Sequence, residues 1–264
     1  MVSAHQPLFT AQNRSFRYGD GVFETIKVFQ NRILLSSLHF ERLFTSLHLL
    51  HLQPGIGFTK ERLEGDILQL CLRNGCAGLA RVRLAVYRSE HNQADYVIEA
   101  VPLDEAAMQW NNEGWKLELY PPARKSCDAF ANIKSANFLP YVLAGLYAQD
   151  KGADEALVLN ALNHIADGSK TNLFLIQEGE VYTPALHQGC VSGVMRRFVI
   201  DCLKKNGYAV HQTKIAEEKL LAADEVFCTN AIQGIRWVQS FGDRQYGYTQ
   251  TRQIYELIAS TILY

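Results

Sequence analysis

Pro121-Pro122-Ala123-Arg124-Lys125-Ser126-Cys127-Asp128 divides the sequence. Each proline fixes φ and removes a backbone donor, so the stretch reads as an extended connection that excludes helix. On that reading the chain has two domains, about 1–120 and 129–264, joined through 121–128. A length of 264 residues is generous for one core and comfortable for two. Before the prolines, strands and helices alternate. Residues 79–87 place Ala80, Val82, Leu84 and Val86 on one side and Arg81 and Arg83 on the other, the period of a half-buried strand. Residues 24–29, 95–101 and 115–120 read as further strands. Helices are expected at 36–50, where Ser36 or Ser37 is a candidate cap, and at 59–73, where Thr59 is followed three residues later by Arg62 and no capping box forms. After the prolines, strands are expected at 155–159, 172–176, 180–182 and 225–228, and helices at 193–206, 216–222 and 249–263. The fold class is mixed α/β, or α+β, in two domains.

Composition narrows the function. Apolar residues make up 48% and charged residues 20%, ordinary values for a folded chain, and the net charge is −1 with the signs interspersed. That argues against a nucleic-acid or membrane-surface role, which usually shows a basic patch or stripe, although a neutral total leaves room for a small folded patch. No apolar run approaches the ~20 residues of a membrane span, and residues 1–12 lack the layout of a signal peptide. The six cysteines are scattered without a CxxC pair, which suits buried thiols in a reducing cytoplasm. Motifs for metal ligation, for P-loop or dinucleotide binding and for a serine nucleophile are absent, and His48 and His51 have no third ligand.

What is left is Ile133-Lys134-Ser135-Ala136-Asn137-Phe138. A lysine among small and apolar neighbours, just before a helix, can be partly desolvated, and its neutral amine is then a nucleophile towards an aldehyde. Four other pieces fit one phosphate-bearing pyridine cofactor. Ser192-Gly193-Val194-Met195-Arg196 sets a glycine and backbone N–H groups at a helix start, an anion-binding arrangement. Thr229-Asn230-Ala231 adds donors in a turn, and Arg42 offers a bidentate phosphate contact. Asp167 precedes an apolar strand, and a carboxylate there would keep a pyridine nitrogen protonated.

Arg17-Tyr18-Gly19-Asp20-Gly21-Val22-Phe23-Glu24-Thr25 resembles the N-terminal signature of the class IV aminotransferases, the fold-type IV enzymes of pyridoxal 5′-phosphate (PLP). His39-Phe40-Glu41-Arg42-Leu43, Lys134-Ser135-Ala136-Asn137 and Asp167-Gly168-Ser169-Lys170-Thr171-Asn172-Leu173-Phe174 continue the resemblance. Thr183-Pro184, Ser192 to Arg197 and Asp224 to Ala231 complete it, in the family's order, between about residues 16 and 240. The resemblance implies that Lys134 is the Schiff-base lysine and proton shuttle and that Arg42 binds the phosphate. Backbone groups of Val194, Met195, Asn230 and Ala231 would complete the cup. Asp167 stands where the family usually has glutamate on the pyridine nitrogen, one methylene shorter. A homodimer with sites at the domain interface is also implied. Within the family, Gly152 to Leu159, Leu221 to Glu225 and the short length are most similar to aminodeoxychorismate lyases, whereas Phe23-Glu24-Thr25 is equally like the transaminases of branched-chain or D-amino acids. A substrate carboxylate needs a cation, for which Arg83 and Arg88 are the candidates.

Overall fold

The computed structural model describes residues 6–89 and 92–263, which form two compact units. The first comprises residues 1–105 together with 133–138, and the second residues 106–132 with 139–264.

The first unit runs α1 (Arg14–Tyr18), β1 (Gly21–Phe29), β2 (Arg32–Ile33), α2 (Ser36–Leu49), β3 (Gln53–Pro54), α3 (Lys60–Arg73), β4 (Leu79–Arg88) and β5 (Gln93–Pro102). Its sheet has the order β2-β1-β4-β5-β3. Ala80, Val82, Leu84 and Val86 are all buried, as the alternation predicts, and they meet Phe40, Leu43 and Leu47 of α2 and Leu63 and Ile67 of α3 in one core. The opposite face carries Phe23, Thr25 and Lys27 beside Ala85, Arg83 and Arg81 in antiparallel register. One helix start differs from the sequence reading and the other agrees with it. Leu35 caps α2 from the left-handed region without a side-chain bond, and the Ser36 hydroxyl turns instead to Glu64. Thr59 does cap α3, its hydroxyl accepting the Arg62 N–H at 3.2 Å; a single cap bond suffices without the reciprocal glutamate.

The second unit contains β6 (Trp115–Lys125), α4 (Leu139–Asp150), β7 (Glu155–Asn160), β8 (Ile165–Gly168), β9 (Asn172–Gln177), β10 (Glu180–Pro184), α5 (Val194–Lys205), β11 (Val210–Thr213), α6 (Glu217–Leu221), β12 (Glu225–Asn230), β13 (Gly234–Phe241), β14 (Arg244–Gln245) and α7 (Thr249–Leu263). Its sheet runs β11-β10-β9-β12-β13-β6-β7-β8, with β14 on β13. Leu117, Leu157, Leu173, Leu175, Val226 and Val238 fill the core with Ile215 and Leu220.

The proline stretch is not a free connection. β6 continues through Pro121 and Pro122 to Lys125, pairing with β7 up to Tyr120↔Val158 and again from Arg124↔Leu159, with a register shift between. The prolines fall in that shift, where no ladder N–H is required of them. The unit boundary therefore lies at residues 105/106 rather than near 120, and residues 133–138 return to the first unit. Cys127 also departs from expectation: it is exposed, while the other five cysteines are buried.

Candidate active site

Lys134 is placed by backbone bonds to the first strand of its unit. The Phe23 N–H donates to the Lys134 carbonyl at 3.0 Å, the Ala136 N–H donates to the Gly21 carbonyl at 2.9 Å, and Ser135 bridges Val22. Ile133 anchors the segment in the core. Gly19 has φ +64°, and a Cβ there would lie 2.6 Å from Asn137 Oδ1, so glycine suits both the turn and the close approach. The N-terminal signature and the lysine motif are thus one piece of structure. Lys134 Nζ stands 4.6 Å from the Phe23 ring centroid and 5.1 Å from that of Phe138, the two rings meeting edge to face. The Arg83 guanidinium lies 4.0 Å from the same Phe23 ring centroid. Burial lowers the Arg83 pKa, Glu99 opposes that shift and Arg81 adds to it. Arg83 is therefore the cation that shares Lys134's surroundings. Arg88 is engaged elsewhere. It pairs with Asp20 at 3.0 Å and donates to the carbonyls of Leu50 and His51 and to Asn92. Its donors hold the start of β1.

Arg42 is oriented from below. Its Nε and Nη2 donate to the two oxygens of Glu24 at 2.7 and 2.5 Å, and His39 Nδ1 meets the same carboxylate at 2.7 Å. Burial pushes the Glu24 carboxyl up, but the Arg42 charge and the His39 bond outweigh it and hold the group at about 2. A carboxyl held below its ordinary 4.5 stabilises the fold above that pH and loses the contribution as pH falls towards 2. Glu24→Gln is accordingly expected to lose about 3 kcal/mol of unfolding free energy at pH 7. Urea titration should show the gap from wild type narrowing between pH 4.5 and 2.

The second unit gathers the other candidates into one strip. The cap of α5, Gly193, has no side-chain bond, so the first-turn N–H groups of Val194 and Met195 have no acceptor within the helix. A Cβ on Gly193 would fall 1.8 Å from Asn172 Oδ1, so any other residue there would have to displace the Asn172 amide. Asn172 Nδ2 donates to the Val191 carbonyl at 3.0 Å, and Asn172 is the register partner of Thr229. The Thr229 hydroxyl is buried with no hydrogen-bond partner, an orphan that a bound oxyanion would satisfy. Asn230 accepts the N–H groups of Ile232 and Gln233, shaping the turn that begins at Ala231. Asp167, on β8 and 1% exposed, accepts the Val191 N–H at 2.8 Å. Cradle, orphaned hydroxyl and buried carboxylate together fit a phosphate ester on a nitrogen heterocycle.

The sequence profile described as Amino-transferase class IV matches residues 21–241. The chain belongs to the class IV aminotransferase family. A branched-chain aminotransferase of the same fold, solved with pyridoxamine 5′-phosphate, superposes with a TM-score of 0.88 at 24% identity, covering 99% of this chain and 91% of that one. Among class IV relatives, the chain is 29% identical over 245 residues to an aminodeoxychorismate lyase of Vibrio harveyi, covering 89% of this chain and 87% of that protein. It is 27% identical over 244 residues to a D-alanine aminotransferase of Listeria monocytogenes, covering 87% and 81%. The crystal structure of a branched-chain aminotransferase from Thermoproteus uzoniensis with norvaline superposes with a TM-score of 0.89 at 26% identity, covering 99% of this chain and 92% of that one. The expected fold-type IV architecture is the one observed.

Three residues of this class IV chain were not singled out from sequence. Glu155, fully buried, accepts from the N–H groups of Ser169 and Lys170 and from the hydroxyls of Ser169 and Thr171, and so holds the turn after Asp167. Asp167 is thereby free of any capping duty at that turn. Tyr141 donates to both Asp167 oxygens at 3.0 Å, and Lys125 Nζ lies 3.6 Å from Oδ2. Lys125 was hidden in the apparent linker and Tyr141 in an apolar helix. The only sequence signal was a charged or polar group inside an otherwise apolar or proline-rich run.

Proposed function

We propose that this protein is a PLP-dependent lyase that converts 4-amino-4-deoxychorismate to 4-aminobenzoate and pyruvate. The observation that supports this reading is the pairing of Phe23 and Arg83 beside Lys134. An aromatic face and a guanidinium next to a reactive amine suit a ring substrate that carries carboxylates. Arg81 and Lys27 on the same sheet face add positive charge, with Glu99 opposite Arg83. The relationship to the Vibrio harveyi lyase points the same way.

Lys134 would hold the cofactor through its amine. Arg42 and the backbone of Val194, Met195, Asn230 and Ala231 would bind the phosphate, and Asp167 would face the ring nitrogen. When bound, PLP supplies an electron sink for charge at the carbon bearing the amino group. Arg83 binds a substrate carboxylate and Phe23 packs against the ring. Lys134 takes the proton from C4 as general base, and loss of pyruvate leaves an aromatic product. Arg42→Ala is expected to weaken PLP binding by ~2–5 kcal/mol, with only partial rescue by lysine, which lacks the planar fork. Unchanged affinity in equilibrium dialysis would assign the phosphate to another cation.

The second reading is a transaminase of branched-chain or D-amino acids with 2-oxoglutarate, favoured by the Listeria and Thermoproteus relatives. Product analysis separates the two. The lyase releases 4-aminobenzoate and pyruvate in equal amounts from aminodeoxychorismate alone. Rapid leucine or D-alanine transamination without 4-aminobenzoate would establish the transaminase.

A homodimer accords with α4, which exposes Leu139, Val142, Leu143 and Leu146 at helical spacing. Light scattering at twice the monomer mass is the expected result. Among the described residues no helix is long and apolar enough to cross a membrane.

A further inference from the structure

We infer that Tyr141 and Lys125 are positioning residues that aim the short Asp167 carboxylate at the cofactor ring, a role that rests on Asp167 being the partner of the ring nitrogen. Two hydrogen-bond donors and one cation, from α4, the loop before α5 and the end of β6, converge on this one buried group. Tyr141 of α4 reaches both oxygens at 3.0 Å, the Val191 N–H reaches Oδ2 at 2.8 Å, and Lys125 at the end of β6 lies 3.6 Å from Oδ2. Oδ2 therefore carries an amide bond and a cation, while Oδ1 has only its share of the tyrosine proton. A carboxylate oxygen accepts two bonds, so Oδ1 is the atom with capacity left for a further donor.

The arrangement also fixes the plane of the carboxylate. Burial, the Asp167 charge and the bond itself drive the Tyr141 pKa well up, so its hydroxyl serves as donor. Lys125 Nζ lies 5.1 Å from the Tyr141 ring centroid, is buried, and has no acceptor within hydrogen-bond distance. At 3.6 Å it acts on Asp167 as a charge and on Tyr141 through the ring face. Aspartate has one fewer torsion than glutamate, so its direction is set by its neighbours, and here those neighbours are Tyr141, Val191 and Lys125.

The test uses PLP-reconstituted Asp167→Asn, Tyr141→Phe, Lys125→Met and the Asp167→Asn/Tyr141→Phe double variant. The readouts are the absorption spectrum of the bound cofactor, its dissociation constant and the split between kcat and KM. Asp167→Asn should displace the cofactor's long-wavelength band, and Tyr141→Phe should displace it in the same direction by less. The double variant should match Asp167→Asn alone, because a residue acting only through Asp167 adds nothing once the carboxylate is gone. Turnover in Tyr141→Phe should fall about ten- to a hundred-fold with KM nearly unchanged. If Tyr141→Phe does not fold, Lys125→Met carries the same comparison. A band moved by Asp167→Asn but untouched by both Tyr141→Phe and Lys125→Met would overturn the positioning role and leave Asp167 in place. A band untouched by Asp167→Asn would overturn the assignment of Asp167 itself, and the positioning role with it.

Discussion

Replacing Lys134 by alanine is expected to lower turnover by at least ~10³-fold while leaving the fold intact, since general-base and nucleophilic roles are lost together. The backbone of Lys134 holds the segment to β1, through the Phe23 N–H and the neighbouring Ser135 bridge. Alanine keeps those bonds. It removes the amine beside Phe23 and Phe138, the group proposed as both covalent anchor and proton carrier. PLP should still bind through its phosphate, more weakly and reversibly, which dialysis would reveal. Steady-state assays with circular dichroism on the same sample check the pair of expectations. Substantial activity in a folded Lys134→Ala protein would remove Lys134 from the chemistry.

Asp167→Asn carries the second largest expected effect, a loss of turnover on the order of 10²-fold, comparable with deleting one preorganised electrostatic group. Asparagine keeps the volume and can still accept the Val191 N–H, but it presents no charge to a ring nitrogen. A protonated ring would stabilise negative charge at the carbon from which Lys134 would take the proton, so the loss would belong to the transition state and should spare cofactor binding. The competing role, a cap for the turn at Gly168, is already filled by Glu155. Asp167→Glu should stay within about tenfold if the pocket shifts by a methylene. A near-normal rate in Asp167→Asn would return the residue to a structural role.

Much of this was legible in the residue order. The alternation of residues 79–87 predicts β4, and the observed burial follows it residue by residue. Residues 249–263 predict α7 at its observed bounds. Those features depend on local periodicity, which a linear chain carries in full. Lys134 stands out in the residue order for another reason, because a lysine among small and apolar neighbours conflicts with simple solvation. By contrast β8 and β13 passed unread, and so did α4 as an element with a defined span. β8 is short and α4 largely apolar, and β13 is buried along most of its length without a clean alternation, so none offers a period to detect.

By itself, then, the sequence determined the family and the elements whose periods are local. Tertiary structure alone decided the rest. Paired prolines read as a linker until a register shift in the β6–β7 ladder shows that no N–H is needed where they sit. Residues 133–138 belong to the first unit because Phe23 and Gly21, over a hundred positions earlier, supply their backbone partners. Arg83 and Arg88 look equivalent on one strand. They part company because Asp20 and two helix-end carbonyls claim Arg88, whereas the Phe23 ring receives Arg83. Tyr141 and Lys125 reach Asp167 from separate elements. Such assignments are settled by partners distant along the chain, and periodicity records nothing about which distant group will arrive.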